Sequence, residues 1–368
     1  LTLLVNQQGI IPVFEEVLEM KFETLSFQDG TLRLLDQRLL PQEVGYFEAR
    51  TYKDVKQAIA DMVVRGAPAI GAAAAFGVYL AAKEYGGLGR AEFLAKLKEA
   101  CRELETARPT AANLAWAVRR LEKLAESRSY APVGAVVEEL AQEAQNIARE
   151  DLEVNRAIAR FGNEVVPPGS TILTHCNTGA LATVGGGTAL GVIREAHDSG
   201  KGIKVYVDET RPRLQGASLT AFELVEAGIP CTLIADSVAA TLIRDDKIDL
   251  VLVGADRIAS NGDTANKVGT FMLSELAGRF GVPFYVVAPV STIDLSIPDG
   301  SHIVIEERPP EEVTHIRGVR IAPEGVAVYN PAFDVTPHVN INGIITERGI
   351  IRPHYSKTIT DLLDSLAR

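Results

Sequence analysis

Residues 250–256 read Leu-Val-Leu-Val-Gly-Ala-Asp: four apolar residues with no polar alternation, broken by Gly254 and closed by the carboxylate of Asp256. A strand with one wet face alternates apolar and polar residues, so a run that is apolar at both parities predicts a strand buried on both faces. Four more runs are of this kind: Thr171 to Thr174, Ile203 to Val207, Cys231 to Ala235 and Phe284 to Val287. The segments between them have helical spacing, which implies right-handed βαβ crossovers and a parallel sheet. Residues 149–368 are therefore expected to form a Rossmann-like, doubly wound α/β domain.

The pattern changes on the N-terminal side. Asp29-Gly30 separates two short strand-like runs, Phe22 to Leu25 and Leu32 to Leu35, which predicts a small β-hairpin. Thr51 and Asp54 have capping-box spacing ahead of Val55, Ile59, Met62 and Val63, which lie on one helical face. Pro68 heads Ala69 to Ala82, a further helix starts near Ala91, and Pro109 precedes Asn113 to Leu124. Val133, Val137, Leu140, Ala144, Ile147, Val154, Ile158 and Phe161 then keep helical spacing as far as Gly162, as one long helix bridging two domains would. Residues 20–148 thus read as a smaller, mainly helical domain. Residues 1–19, ahead of the first methionine at Met20, read as an N-terminal extension.

Composition narrows the function. The 368 residues, with a formal net charge of -11 and no basic cluster, argue against a nucleic-acid partner. Three cysteines without CxxC spacing support neither a disulfide framework nor a zinc knuckle. The six histidines form no HxxxH or HExxH pattern, so no metal is expected. No run approaches the roughly 18 apolar residues of a membrane span. A cytoplasmic protein with reduced thiols is the expectation.

Ligands of open parallel sheets bind outside the carboxyl ends of the strands. Those ends carry His175-Cys176-Asn177, Asp208-Glu209-Thr210, Asp236-Ser237 and Ala255-Asp256, so one rim collects a thiol and several carboxylates. Cys176 reads either as a small core residue or as a thiol whose pKa is lowered by oriented N–H groups at a following helix. Asp256 reads either as a cap for the turn at Asn261-Gly262-Asp263 or as a carboxyl with a raised pKa that serves as a general acid. Asp208 and Asp236 suit structural or hydroxyl-binding roles. The glycines at 185, 186, 187 and 191 fail the dinucleotide fingerprint, because the third glycine is due at 190 and Leu190 stands there. A phosphate cradle at that helix start stays open. Arg65-Gly66-Ala67-Pro68 is a second candidate anion site, with Gly66 allowing close backbone approach beside a helix start. Arg108-Pro109-Thr110 and Asn266-Lys267 are further candidates, each also readable as an exposed charge beside a turn.

Taken in order, Arg65-Gly-Ala-Pro-Ala-Ile-Gly71, Arg108-Pro-Thr-Ala, Thr174-His-Cys-Asn-Thr-Gly-Ala-Leu-Ala-Thr183, Asp208-Glu-Thr-Arg-Pro-Arg-Leu-Gln-Gly216, Gly254-Ala-Asp-Arg-Ile258, Asn261-Gly-Asp263, Asn266-Lys-Val-Gly-Thr270 and Phe333-Asp-Val-Thr-Pro337 span nearly all of the chain from Met20. With these blocks the chain resembles the 5-methylthioribose-1-phosphate isomerases of methionine salvage, which are related in fold to the regulatory subunits of translation initiation factor 2B. The resemblance implies an aldose–ketose isomerase that uses no cofactor and is usually a homodimer. It implies that Asp256 is the proton donor and that Cys176 assists at the transition state. It also implies substrate contacts from Arg65, Gly66, Ala67, Arg108, Gln215, Asn266 and Lys267. Two competing readings remain at this point. One is a ribose-1,5-bisphosphate isomerase, which needs a basic pocket for a second phosphate. The other is a non-catalytic subunit of the initiation-factor type, whose relatives generally lack the paired cysteine and aspartate.

Overall fold

The computed structural model describes residues 22–366 apart from 109, 110 and 129. The expected extension over residues 1–19 lies outside the described residues, as do Pro109 and Thr110 of the Arg108 block.

Strands β1 (Leu25–Gln28) and β2 (Thr31–Leu35) make the expected hairpin. Asp29 and Gly30 sit at φ 51° and 77°, the left-handed pair that a two-residue turn of this twist requires. A third strand, β3 (Tyr46–Ala49), pairs antiparallel with β2 and was not foreseen. Helix α1 (Tyr52–Ala60) opens on the expected capping box: Thr51 Oγ1 accepts from the Asp54 N–H at 3.2 Å, and Asp54 Oδ2 accepts from the Thr51 N–H at 2.8 Å.

Helix α2 (Ala67–Tyr85) is buried along most of its length, and its alanines and glycines let neighbours come close. At Gly71 a Cβ would lie 3.0 Å from the Asn113 carbonyl oxygen, a tight contact, so glycine lets α2 settle closely against the start of α4 (Ala112–Ser127). Helix α3 (Arg90–Glu105) completes the layer around it. Helix α5 (Val133–Asn163) runs 31 residues. It gives Val136, Leu140, Ala144 and Ile147 to the helical core and Ile158 to the sheet core, as the single long period predicts.

Beyond it, β4 (Thr171–Thr174), α6 (Ala189–Asp198), β5 (Lys204–Asp208), α7 (Ala221–Glu226), β6 (Cys231–Ile234), α8 (Val238–Arg244) and β7 (Leu250–Val253) alternate as expected. There follow β8 (Arg257–Ala259), β9 (Thr264–Lys267), α9 (Thr270–Phe280), β10 (Phe284–Val287) and β11 (Ile293–Asp294). Helix α10 (Glu311–Thr314) precedes the ribbon of β12 (His315–Ile316) and β13 (Val319–Arg320). Then come β14 (Phe333–Thr336), β15 (Gly343–Thr346), β16 (Gly349–Ile351) and α11 (Tyr355–Leu366).

The main sheet has the order β16-β15-β10-β7-β4-β5-β6, parallel throughout except for β16. All five strands read from the sequence are in it. The expectation of two-sided burial fails for β6, where Leu233 is 48% exposed, because β6 is the edge strand and has a neighbour on one side only. A second sheet, β11-β8-β9-β14, was also not foreseen. Its strands are two to four residues long, too short to leave a period in the sequence.

Candidate functional site

The chain lays down β4, β5 and β6 in one direction, then returns to place β7 on the other side of β4. Connections leave in opposite directions from β4 and β7, and a crevice opens at their carboxyl ends. Cys176 lies two residues beyond the end of β4, and Asp256 three beyond the end of β7. They flank the one point in the sheet where strand order alone makes a recess. A cavity of about 470 Å³ occupies it, lined by all nine residues that the family resemblance implies for catalysis and substrate contact.

The basic end comes from the helical part. Gly66, at φ 92°, caps α2, and the first-turn N–H groups of that helix have no intrahelical partner. A Cβ at Gly66 would lie 2.3 Å from the Ala182 carbonyl oxygen, so the close approach this glycine permits is to the opposite half of the protein. Arg65 is half-buried rather than a solvated helix-end charge. Its guanidinium hydrogen-bonds Asn177 Oδ1, and its Nε is buried without a partner among the described residues. Asn177 is held in turn: its Nδ2 donates to Glu223 Oε1 at 2.7 Å and to Thr220 Oγ1 at 3.2 Å, which fixes its carbonyl toward Arg65. Burial lowers the pKa of both Arg65 and Arg108, the mark of cations held in poor solvation and short of counter-ions.

The chemical end comes from the sheet. Burial raises the Asp256 pKa, against the opposing charges of Lys267, Arg65 and Arg108. The carboxyl faces the cavity and is open to any solvent in it, so a ligand that displaces that water drives the pKa further up. Asp256 does not cap the following turn. Asn261 Oδ1 accepts from the Asp263 N–H at 2.9 Å, and the turn closes on its own side chains. Cys176 departs from one expectation. Its pKa is raised, not lowered, because burial outweighs Arg65 and Lys267. The segment after it is a short 3-10 turn, Ala180–Ala182, and α6 starts only at Ala189, so the helix expected directly after Asn177 is not there. Cys176 holds φ 65°, its N–H donating to Thr210 Oγ1 at 2.8 Å and its carbonyl accepting from Thr220 Oγ1 at 2.5 Å.

Gln215 enters the cavity because Gly216 packs directly on the Asp208 carbonyl, where a Cβ would lie 1.7 Å from the oxygen. Asn266 donates to Thr270 Oγ1 at 3.0 Å. Lys267 donates to the Ala332 carbonyl at 2.8 Å and stands over the Phe333 ring. The triple glycine is a packing device: Gly187 abuts Gly179, Gly185 abuts Leu152, and Thr178, Ala182, Thr183 and Thr188 on either side, not the three glycines, line the cavity. Asp208 and Asp236 face away from the cavity, as structural roles require. Asp208 Oδ2 meets His175 Nδ1 at 2.9 Å, and Asp236 accepts the N–H groups of Thr210 and Arg211 at 2.7 Å each. His175, Asp208 and Asp236 are close enough to hold a metal, but hydrogen bonds already use the two histidine nitrogens and both Asp236 oxygens. The sequence reading missed Arg213, His302, Glu306 and Arg308, which also line the cavity. Arg213 stands inside a block quoted above. The other three belong to the long arm after β11, where no motif flagged them.

A switch-point recess that brings Arg65, Arg108 and Lys267 within electrostatic reach of a cavity-facing carboxyl and a buried thiol defines a protein that takes a small anionic ligand. The model of the initiation factor 2 subunit family matches residues 63–353, and the chain belongs to that family. Within it, the chain is 64% identical over 342 residues to a methylthioribose-1-phosphate isomerase from Caldanaerobacter subterraneus subsp. tengcongensis, covering 93% of this chain and 99% of that one. The crystal structure of 5-methylthioribose 1-phosphate isomerase from Pyrococcus horikoshii OT3 superposes with a TM-score of 0.90 at 46% identity, over 93% of this chain and 96% of that one. A translation initiation factor 2B delta subunit from A. fulgidus gives 0.83 at 42% identity, over 92% and 99%.

Proposed function

We propose that the chain isomerises 5-methylthioribose 1-phosphate to 5-methylthioribulose 1-phosphate in methionine salvage, with Asp256 as its acid. The observation that carries the assignment of roles is the pairing of Cys176 and Asp256 across the switch point, opposite the Arg65 helix start.

A phosphate on the anomeric oxygen prevents the sugar from opening spontaneously, so the enzyme must protonate the ring oxygen. Asp256, whose pKa is raised and is driven further up when a ligand displaces the cavity water, gives that proton, and the bond from C1 to the ring oxygen breaks. Hydrogen then passes from C2 to C1, the C2 hydroxyl gives its proton back to Asp256, and the ketose leaves. Cys176 rests as a neutral thiol beside C1 and C2. Arg65, the first-turn N–H groups around Gly66 and Ala67, and Arg108 take the phosphate. Gln215, Asn266 and Lys267 take the hydroxyls and the remaining phosphate oxygen.

The cations beyond this set are already engaged. Arg308 pairs with Glu306 at 2.8 Å and Glu312 at 2.7 Å, and Arg213 pairs with Glu312 at 2.8 Å. A second phosphate, as in ribose 1,5-bisphosphate, therefore meets neutralised groups. We also place a domain boundary inside α5, between the residues that feed the two cores. Val225, Leu233 and Val238, exposed around the β6 edge, support the reading of a homodimer. No described helix is long and apolar enough to cross a membrane, and we place the enzyme in the cytoplasm with its sugar-phosphate substrate.

Phosphorus and proton NMR of the purified protein with 5-methylthioribose 1-phosphate, and in parallel with ribose 1,5-bisphosphate, tests the reading. Conversion of the first alone supports it, whereas conversion of only the second, or of neither, overturns it.

A further inference from the structure

We infer that His175 is a positioning residue that works as a permanently charged imidazolium, tying the loop of Lys267 to the strand end that carries Cys176. The inference rests on the site assignment above and extends it to a residue that does not line the cavity.

The ring is 1% exposed, and both nitrogens face acceptors: Nδ1 meets Asp208 Oδ2 at 2.9 Å and Nε2 meets the Val268 carbonyl at 2.9 Å. A carbonyl oxygen cannot donate, so Nε2 carries a proton. The contact to Asp208 then needs a second proton on the line between them. Burial raises the Asp208 pKa, but the ring starts from the higher free value and its pKa is raised as well, so the imidazole keeps the proton. Two further carboxylates act on the ring, Asp236 after β6 and Asp334 on β14. Burial alone would discharge the ring, but Asp208, the Val268 carbonyl and Asp236 together outweigh it and raise the pKa.

The packing follows the same line. Gly269, at φ 108°, lies flat on the imidazole, where a Cβ would stand 2.8 Å from Cε1 and 2.9 Å from Nε2. Asp334 accepts the Gly269 N–H at 2.6 Å and the Phe271 N–H at 3.0 Å, locking the start of α9 from the other side. Lys267 and Asn266 immediately precede this clamp. One cation thus sets the distance between the loop proposed to hold substrate oxygens and the thiol next to it in sequence.

The first measurement is nitrogen NMR of the histidine-labelled full-length protein from pH 6 to 9. Two protonated ring nitrogens on His175 across the whole range support the proposal, and a ring nitrogen without a proton at any pH in the range overturns it. The second compares two variants. His175→Asn keeps a donor near Nδ1 and loses the Val268 bond, whereas His175→Gln keeps a donor near Nε2. The expected result is a KM about two- to tenfold higher in His175→Asn than in His175→Gln, the scale of the one neutral hydrogen bond to the Val268 carbonyl that only the glutamine keeps. Equal KM values in the two variants overturn the loop-holding role. If neither variant folds, the NMR measurement on the unaltered protein still decides, and neither outcome depends on which sugar phosphate the enzyme converts.

Discussion

Asp256→Asn separates proton donation from everything else that this side chain does. Asparagine has nearly the same shape, and among the described residues no hydrogen bond holds the Asp256 carboxyl, so the change leaves no partner stranded. What it removes is an acidic proton. General acid catalysis is worth about 10²–10⁴ in rate, so kcat is expected to fall by that factor, some 3–5 kcal/mol of barrier, while KM stays within about threefold. Stability should move the opposite way. A carboxyl whose pKa is raised on folding contributes stability below its unfolded pKa and loses it as pH rises through the folded value. Above its folded pKa the wild-type carboxyl carries an unfavourable charge that asparagine lacks, and there the variant should melt at the same temperature or higher. The assay is initial-rate kinetics at pH 8 beside thermal unfolding in the same buffer. A variant with native melting and near-native kcat would refute the acid role of Asp256.

Arg65→Ala should raise KM by one to two orders of magnitude with a smaller change in kcat, since a charged hydrogen bond is worth about 1.5–3 kcal/mol; an unchanged KM removes Arg65 from the phosphate site. The raised thiol pKa predicts that Cys176 alkylates at pH 7.5 more slowly than an exposed model thiol, measured by mass spectrometry, and that turnover in D2O leaves the C2 hydrogen on C1. Full exchange with solvent would instead make Cys176 a working base. Gly66→Ala, which forces a Cβ onto the Ala182 carbonyl at a left-handed φ, should cost about 2–4 kcal/mol in denaturant unfolding. Asp151 on α5 accepts the Val184 N–H at 2.7 Å, and burial raises its pKa to about 7. Its contribution to stability is present below pH 4 and is lost as pH rises through 7, so Asp151→Asn should gain on the wild type by about 1–2 kcal/mol between pH 5 and pH 8.

The parts of the fold legible in the sequence were those with a long period. The four-residue run Leu250–Val253 is apolar at both parities because helices cover both faces of the sheet at β7, α8 and α9 over Val251 and Val253 and α5 and α6 over Leu250 and Leu252, and the long α5 repeats its apolar stripe for eight turns. The edge strand β6 carries the same apolar signature while half-exposed, since composition alone does not tell an edge from a centre. Cys176 and Asp256 were legible because a strand end is a place as well as a residue. Arg308 was not, because it reaches the cavity from a segment where glutamates and turns leave no periodicity, and only the chain's path brings it there. The thiol was misjudged for a related reason: the helix expected after Asn177 is displaced a dozen residues by the packing of Gly179 on Glu223 and of Gly187 on Gly179.

The recess between β4 and β7 exists because of the order in which strands were laid down, before any side chain is chosen to furnish it. A descendant that exchanged Cys176 and Asp256 for inert residues would keep the hollow, its helix start and the cores on either side. Inheritance of this architecture and inheritance of the reaction are thus separable, and with the roles proposed for Cys176 and Asp256, drift at two loop positions turns a catalyst into a receptacle.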